Sequence, residues 1–115
     1  MRYLLLIHAD EAGWNALSPE QMSEAMGAYF AYSEALAKSG KLVSADELQP
    51  NDTAKCVRVR DGKTGVVDGP FADTKETVGG YYLIEAETEA EALDWAAKCP
   101  GAHHGVIEVR PVVVR

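Results

Sequence analysis

The densest run of reactive side chains is Asp68-Gly69-Pro70-Phe71-Ala72-Asp73-Thr74-Lys75-Glu76. Glycine and proline together cannot continue a regular strand, because one is conformationally loose and the other lacks a donor N–H. The run is therefore read as a constrained loop. Asp68, just before the break, suits the acceptor of an Asx-type turn, and Phe71 suits an apolar anchor holding the loop to the body. Asp73, Lys75 and Glu76 add two carboxylates and an ammonium, a mixture able to orient a ligand or to hold one carboxylate as a general base. The competing reading is a capped turn with solvated or ion-paired charges.

Three histidines can supply a partner for such a carboxylate: His8 at the end of a first strand, and His103 and His104 before the last one. Asp68 with His8 or His104 is the catalytic set these positions suggest. Glu108 and Arg110 alternate onto one strand face, where they pair with each other or orient Asp68. Trp14, placed in a loop before the first helix, and Tyr29, within it, are candidate ligand contacts alongside Asp73, Lys75, Glu76 and Arg110. Cys56 and Cys99 form no CxxC unit, and no histidine stands at zinc spacing from them, so neither a metal nor another cofactor is expected.

Hydropathy periods give the elements that must position these groups. Arg2 to His8 alternates as a strand that is apolar on both faces, and Asp10 to Leu17 reads as a loop. Ser18-Pro19-Glu20-Gln21 is a helix start with a capping box and a proline at the first position. A stripe of Met22, Met26, Tyr29, Ser33, Leu36 and Ala37, widened by Ala25 and Phe30, runs to a stop at Gly40. A strand spans Leu42 to Leu48. Ala54 to Arg60, the turn Asp61-Gly62-Lys63-Thr64-Gly65 and the return Val66 to Asp68 predict an inserted hairpin. A strand at Gly80 to Glu87, a second capping box at Thr88-Glu89-Ala90-Glu91, a helix to Lys98 and a last strand at Gly105 to Val114 complete the order, with Pro111 marking an edge.

With the hairpin set aside, strand, helix, strand, strand, helix, strand is the split βαβ order of a ferredoxin-like α+β domain. At 115 residues, one domain over 1–115 is expected. Its helices cover one sheet face, yet the strands are apolar on both, which predicts a homodimer closed over the uncovered faces or the partner's hairpin. The formal net charge of -7 argues against direct nucleic-acid contact. No run approaches a membrane span and no secretory leader is read, so a cytoplasmic protein with reduced thiols is expected.

Asp68-Gly69-Pro70-Phe71, followed by Asp73-Thr74-Lys75-Glu76 and Gly79-Gly80-Tyr81-Tyr82, resembles the motif region of the YCII-related (DGPF-domain) family. Ser39-Gly40-Lys41-Leu42 and the stretches Trp95 to Pro100 and Ile107 to Val112 are similar to the same family, in the same order along the chain. The resemblance implies a dimeric ferredoxin-like α+β barrel. It also implies two functional classes: a small-molecule enzyme with an acid/base Asp in a cleft of the dimer, and a non-catalytic ligand- or protein-binding dimer with an accessory role beside an extracytoplasmic-function sigma factor. The His–Asp pair proposed for related proteins has no histidine to occupy it in the first helix here.

Overall fold

The computed structural model describes residues 1–72 and 74–115, so Asp73 lies outside the described residues. Strand β1, Arg2–Asp10, buries Tyr3 and Leu5 on one face. It runs directly into a short helix, α1, Glu11–Asn15, where a loop is expected from sequence. Asp10 is the reason: its Oδ1 accepts the Ala12 N–H at 3.1 Å and starts the turn. Trp14 therefore sits on a fixed helical turn.

Helix α2, Pro19–Lys38, forms as its capping box requires. Ser18 Oγ accepts from Gln21 N, and the Gln21 side chain accepts from Ser18 N. Its buried residues are Tyr32 and Leu36, while Phe30 and Met26 of the expected stripe are exposed. Gly40, at φ 75°, ends the helix and leads to β2, Leu42–Glu47. After a 3-10 turn at Asn51–Thr53 the chain makes β3, Lys55–Arg60, and β4, Lys63–Asp68. Both turn residues between them have positive φ (Asp61 52°, Gly62 73°), the geometry that matches the twist of a tight hairpin.

β5, Glu76–Glu85, starts four residues earlier than its apolar pattern suggests. α3, Glu89–Lys98, is capped by Thr88 Oγ1, which accepts from Glu91 N. The reciprocal half of that expected box is not formed, because the Glu91 carboxylate pairs with Lys41 at 3.1 Å. A 3-10 turn, Pro100–His103, then leads to β6, Val106–Pro111, an edge strand that stops at its proline.

The four-stranded sheet has order β2-β5-β1-β6, and every neighbouring pair is antiparallel. β1 and β2, joined through α2, are separated by β5, which is the split βαβ arrangement. The core lies on one face of the sheet. There Tyr3, Leu5, Tyr82 and Ile84 meet Tyr32 and Leu36 of α2, with Ala92 and Ala96 of α3 and Cys99. Tyr32 joins the layers: its ring stands at 90° to Tyr82 with centroids 5.1 Å apart, and its hydroxyl donates to the Trp95 carbonyl at 2.6 Å.

The opposite face has no helix over it. Leu4, Leu6, Tyr81 and Leu83 alternate onto it from the two central strands, with Val106 exposed on β6 beside them. The β3–β4 ribbon forms a separate two-stranded sheet whose Val57, Val59, Val66 and Val67 are exposed. The molecule extends 48 × 45 × 18 Å with a radius of gyration of 16.0 Å. A compact chain of this length has a radius of roughly 13 Å.

Gly105 lets the start of β6 run against β1. A Cβ there would collide with the His8 carbonyl oxygen, and that neighbour is backbone and cannot swing away. Gly105→Ala is expected to lower unfolding stability in urea by about 1–3 kcal/mol. Gly79→Ala is the control, since a Cβ there meets nothing within 4 Å, and a similar loss for both would refute the packing argument.

Candidate functional site

Two concavities flank the sheet, one on each side. On the helix side, β2 and β5 part from α2 and leave a cleft of about 430 Å³. Trp14 from α1, Met26 and Tyr29 from α2, and Ala45 and Ile7 from the sheet form its apolar walls. The Trp14 and Tyr29 rings meet edge to face, at 73° with centroids 6.5 Å apart, and make a corner of two aromatic walls.

Polar groups enter this cleft at few points. Ser33 Oγ and Tyr82 Oη lie 2.7 Å apart, and Tyr82 is only 5% exposed. One hydroxyl donates to the other, so the pair's second O–H has no acceptor among the described residues. Burial holds the Tyr82 hydroxyl above the usual phenol range, with the Ser33 hydrogen bond opposing the shift, so it is a donor at neutral pH. Burial likewise raises Tyr29, and the nearby Glu47 charge adds to that effect. Glu11 also lines the cleft; its Oε2 accepts from Asn51 N at 2.8 Å, which ties the β2–β3 connection to α1.

On the open face lies a broader concavity of about 1340 Å³, bordered by His8, Asp10, Phe71, Lys75, Glu76, His104 and Glu108. His8 follows a register shift in β1 between Ile7 and His8. Its Nε2 is 2.9 Å from Glu108 Oε1, and Arg110 Nη1 lies 3.5 Å from the other carboxylate oxygen. The His8 hydrogen bond is the main reason that the Glu108 carboxyl is held below the usual carboxylate range, and Arg110 adds to it.

The sequence-derived candidates are thus divided among three places. Trp14 and Tyr29 meet in the aromatic cleft. His8, His104, Lys75 and Glu76 share the open-face concavity, with Arg110 attached through Glu108. Lys75 Nζ is 4.0 Å from Asp10. Asp68 stands apart from both. It is the last residue of the ribbon, 80% exposed, and its Oδ1 accepts from Lys55 Nζ at 2.7 Å. Its partner is this cross-strand lysine, and among the described residues no Asx-type turn or histidine contact takes its place. Asp73 is outside the described residues.

Phe71 is 81% exposed and lies under the Arg58 guanidinium, 5.8 Å from its ring centroid, so it does not anchor the loop to the body. The Cys56 thiol donates to the Gly69 carbonyl, and Cys99 is buried in the core. Among the described residues no three His, Cys, Asp or Glu side chains are placed to share a metal ion, and no helix is long and apolar enough to cross a membrane. Sequence reasoning missed Ser33, Tyr82, Glu11 and Glu47 as one group. Their only signal is that Ser33 lies one helical turn beyond Tyr29, on the stripe that meets the sheet.

Three comparisons place the chain among known proteins. The profile of the YCII-related domain matches residues 1–114. An uncharacterised protein of Rhizobium meliloti (strain 1021) is 37% identical over 116 residues, spanning 99% of this chain and 94% of that protein. Among solved structures, the 5-chloro-2-hydroxyhydroquinone dehydrochlorinase of Burkholderia phenoliruptrix AC1100, in complex with 2,5-dihydroxybenzoquinone, superposes with a TM-score of 0.59. That match covers 98% of this chain and 94% of the dehydrochlorinase at 16% identity, and it shows a shared fold.

The His8–Glu108 pair makes stability depend on acid. Because the folded-state pKa of Glu108 is lowered, the pair's contribution is complete above the ordinary carboxylate value, about 4. It disappears as pH falls through the lowered folded value. Between about pH 6 and pH 3 the melting temperature of the wild type should therefore fall further than that of Glu108→Gln. Parallel curves for the two proteins would show that the hydrogen bond adds nothing to folding.

Proposed function

The chain belongs to the YCII-related domain family, and on that premise we propose that it is a homodimeric enzyme that takes a small ring compound into the aromatic cleft and acts on it by proton transfer. The cleft itself carries this reading. About 430 Å³ suits a single small ring, and a mostly apolar wall with a few convergent polar groups is the usual construction of a ligand pocket. Tyr82 donates a hydrogen bond to a ligand oxygen, while Glu11 and Glu47 are the carboxylates available to accept a proton. The neighbour of the same fold holds a hydroxylated six-membered ring, which supports the choice of ligand shape.

Surface area supports the dimer. The chain exposes 8046 Å². A compact monomer of this mass exposes roughly 6,100 Å², and the excess of roughly 1,900 Å² is of the size one protomer contributes to an obligate interface. The uncovered sheet face and the valine face of the ribbon supply that excess, and pairing them in two copies yields the α+β barrel implied by the family. Lys55 and Asp68 occupy the same ribbon face as Val57 and Val66.

Sedimentation equilibrium should give twice the 12.4 kDa chain mass. Val57→Lys combined with Val66→Lys, a cross-strand pair, should shift the protein to monomer while α2 and the main sheet stay folded. A wild-type monomer at all concentrations would refute the dimer. For the cleft, a panel of small phenols and quinones should move the Trp14 indole N–H resonance, and Tyr82→Phe should weaken the best binder about three- to tenfold. Chromatography of the binders after incubation tests turnover. Conversion lost in Glu11→Gln or Glu47→Gln is the expected result, and binding with no conversion of any compound would make the protein a non-catalytic ligand-binding dimer.

A further inference from the structure

We propose that the ligand of the aromatic cleft is an organic cation: an arylalkyl ammonium with an oxygen substituent on its ring. The inference rests on the cleft being the ligand site and adds the charge and polarity of what enters it. Its ionisable lining, tyrosines aside, is Glu11, Asp46 and Glu47; no lysine, arginine or histidine is among the described residues that form it. The Asp46 carboxylate is turned to the Tyr81 hydroxyl on the open face, 2.9 Å away, and Glu11 keeps one oxygen on Asn51 N, so the carboxylates on the cleft side are Glu11 and Glu47. Glu47 has no such partner among the described residues, and its field reaches the Tyr29 hydroxyl.

An anion entering this space meets carboxylates on the way and no counter-charge inside. A cation meets the reverse. The Trp14–Tyr29 corner strengthens the preference, because two rings at 73° to one another are two sides of an aromatic cage, the arrangement that attracts ammonium groups through ring quadrupoles. Met26 adds a polarizable contact on the same wall.

The cleft is also polarised along its depth. Glu47 is exposed and Glu11 half-buried, whereas Tyr82 is almost fully buried. Carboxylates therefore mark the mouth, and the Ser33–Tyr82 hydroxyl pair marks the floor. A ligand complementary to both places its ammonium at the mouth and an oxygen acceptor at the floor, with an apolar ring between them.

Three probes share one ring and differ in charge: tyramine, para-ethylphenol and para-hydroxyphenylacetate. Titrations of the full-length protein, read at the Trp14 indole N–H, should show tyramine binding at least about tenfold tighter than para-ethylphenol, with the anion weakest. Glu11→Gln combined with Glu47→Gln should remove most of that preference, read as the ratio of tyramine to para-ethylphenol affinity, and an unchanged melting temperature controls for folding. Equal or tighter binding of the neutral or anionic probe overturns the charge assignment while leaving the ring-binding cleft intact. If no probe moves Trp14, the cleft reading itself fails and this inference falls with it.

Discussion

The position of Tyr32 governs the rest of the molecule. Its ring stands edge-on against Tyr82 of the sheet, its hydroxyl caps the Trp95 carbonyl of α3, and its backbone belongs to α2. One residue thereby fixes the spacing of the two helices and the sheet. A buried phenol without an acceptor costs about 1–3 kcal/mol, so this geometry is held by polar satisfaction as well as by apolar packing. Tyr29, one turn nearer the start of α2, and Ser33, the residue after Tyr32, inherit that spacing, and the cleft is the gap that remains where α2 outruns the packed core.

The same one-sided packing explains the exposed apolar surface. Two helices can cover only one face of a four-stranded sheet, and here they bury ten hydrophobic residues. The hairpin extends the problem, because a two-stranded ribbon with valines outward has no layer of its own to lie on. Uncovered sheet and unsupported ribbon both leave apolar side chains without a covering layer. The polar edge of the open face, with His8, Glu108 and Arg110 in contact and Arg2 paired to Glu85 at 3.1 Å, satisfies its charges within one chain.

Much of the fold was legible because its determinants are local. The capping box at Ser18 and the stop at Gly40 each work within a few residues and form as read, while the hairpin read with a five-residue turn at Asp61 to Gly65 turns at Asp61-Gly62 alone, with β4 starting at Lys63. Register was missed with the turn: β4 starts at Lys63, and this shorter turn is what sets Lys55 opposite Asp68. Asp68 was instead assigned from the proline break beside it. The helix α1 escaped notice because five residues are too few to show a period, and its single determinant is the Asp10 side chain. The aromatic cleft escaped for a different reason. It is assembled from α1, α2, β2, β5 and the connection after β2, and no short motif records such a meeting.

Tyr81 and Tyr82 are successive residues of β5 and face opposite compartments, the first bonded to Asp46 and the second to Ser33 on the cleft floor. An insertion or deletion of one residue within β5 would exchange these two surfaces at a stroke, carrying the Tyr82 hydroxyl to the open face and the Tyr81 hydroxyl to the cleft side. Length changes in the ribbon turn, by contrast, leave both registers untouched. Variation among relatives should therefore fall unevenly: the hairpin is free to lengthen, shorten and change its reach, whereas β5 must keep its residue count while its side chains diverge. The strand behaves as a fixed ruler between two surfaces that can evolve independently of each other.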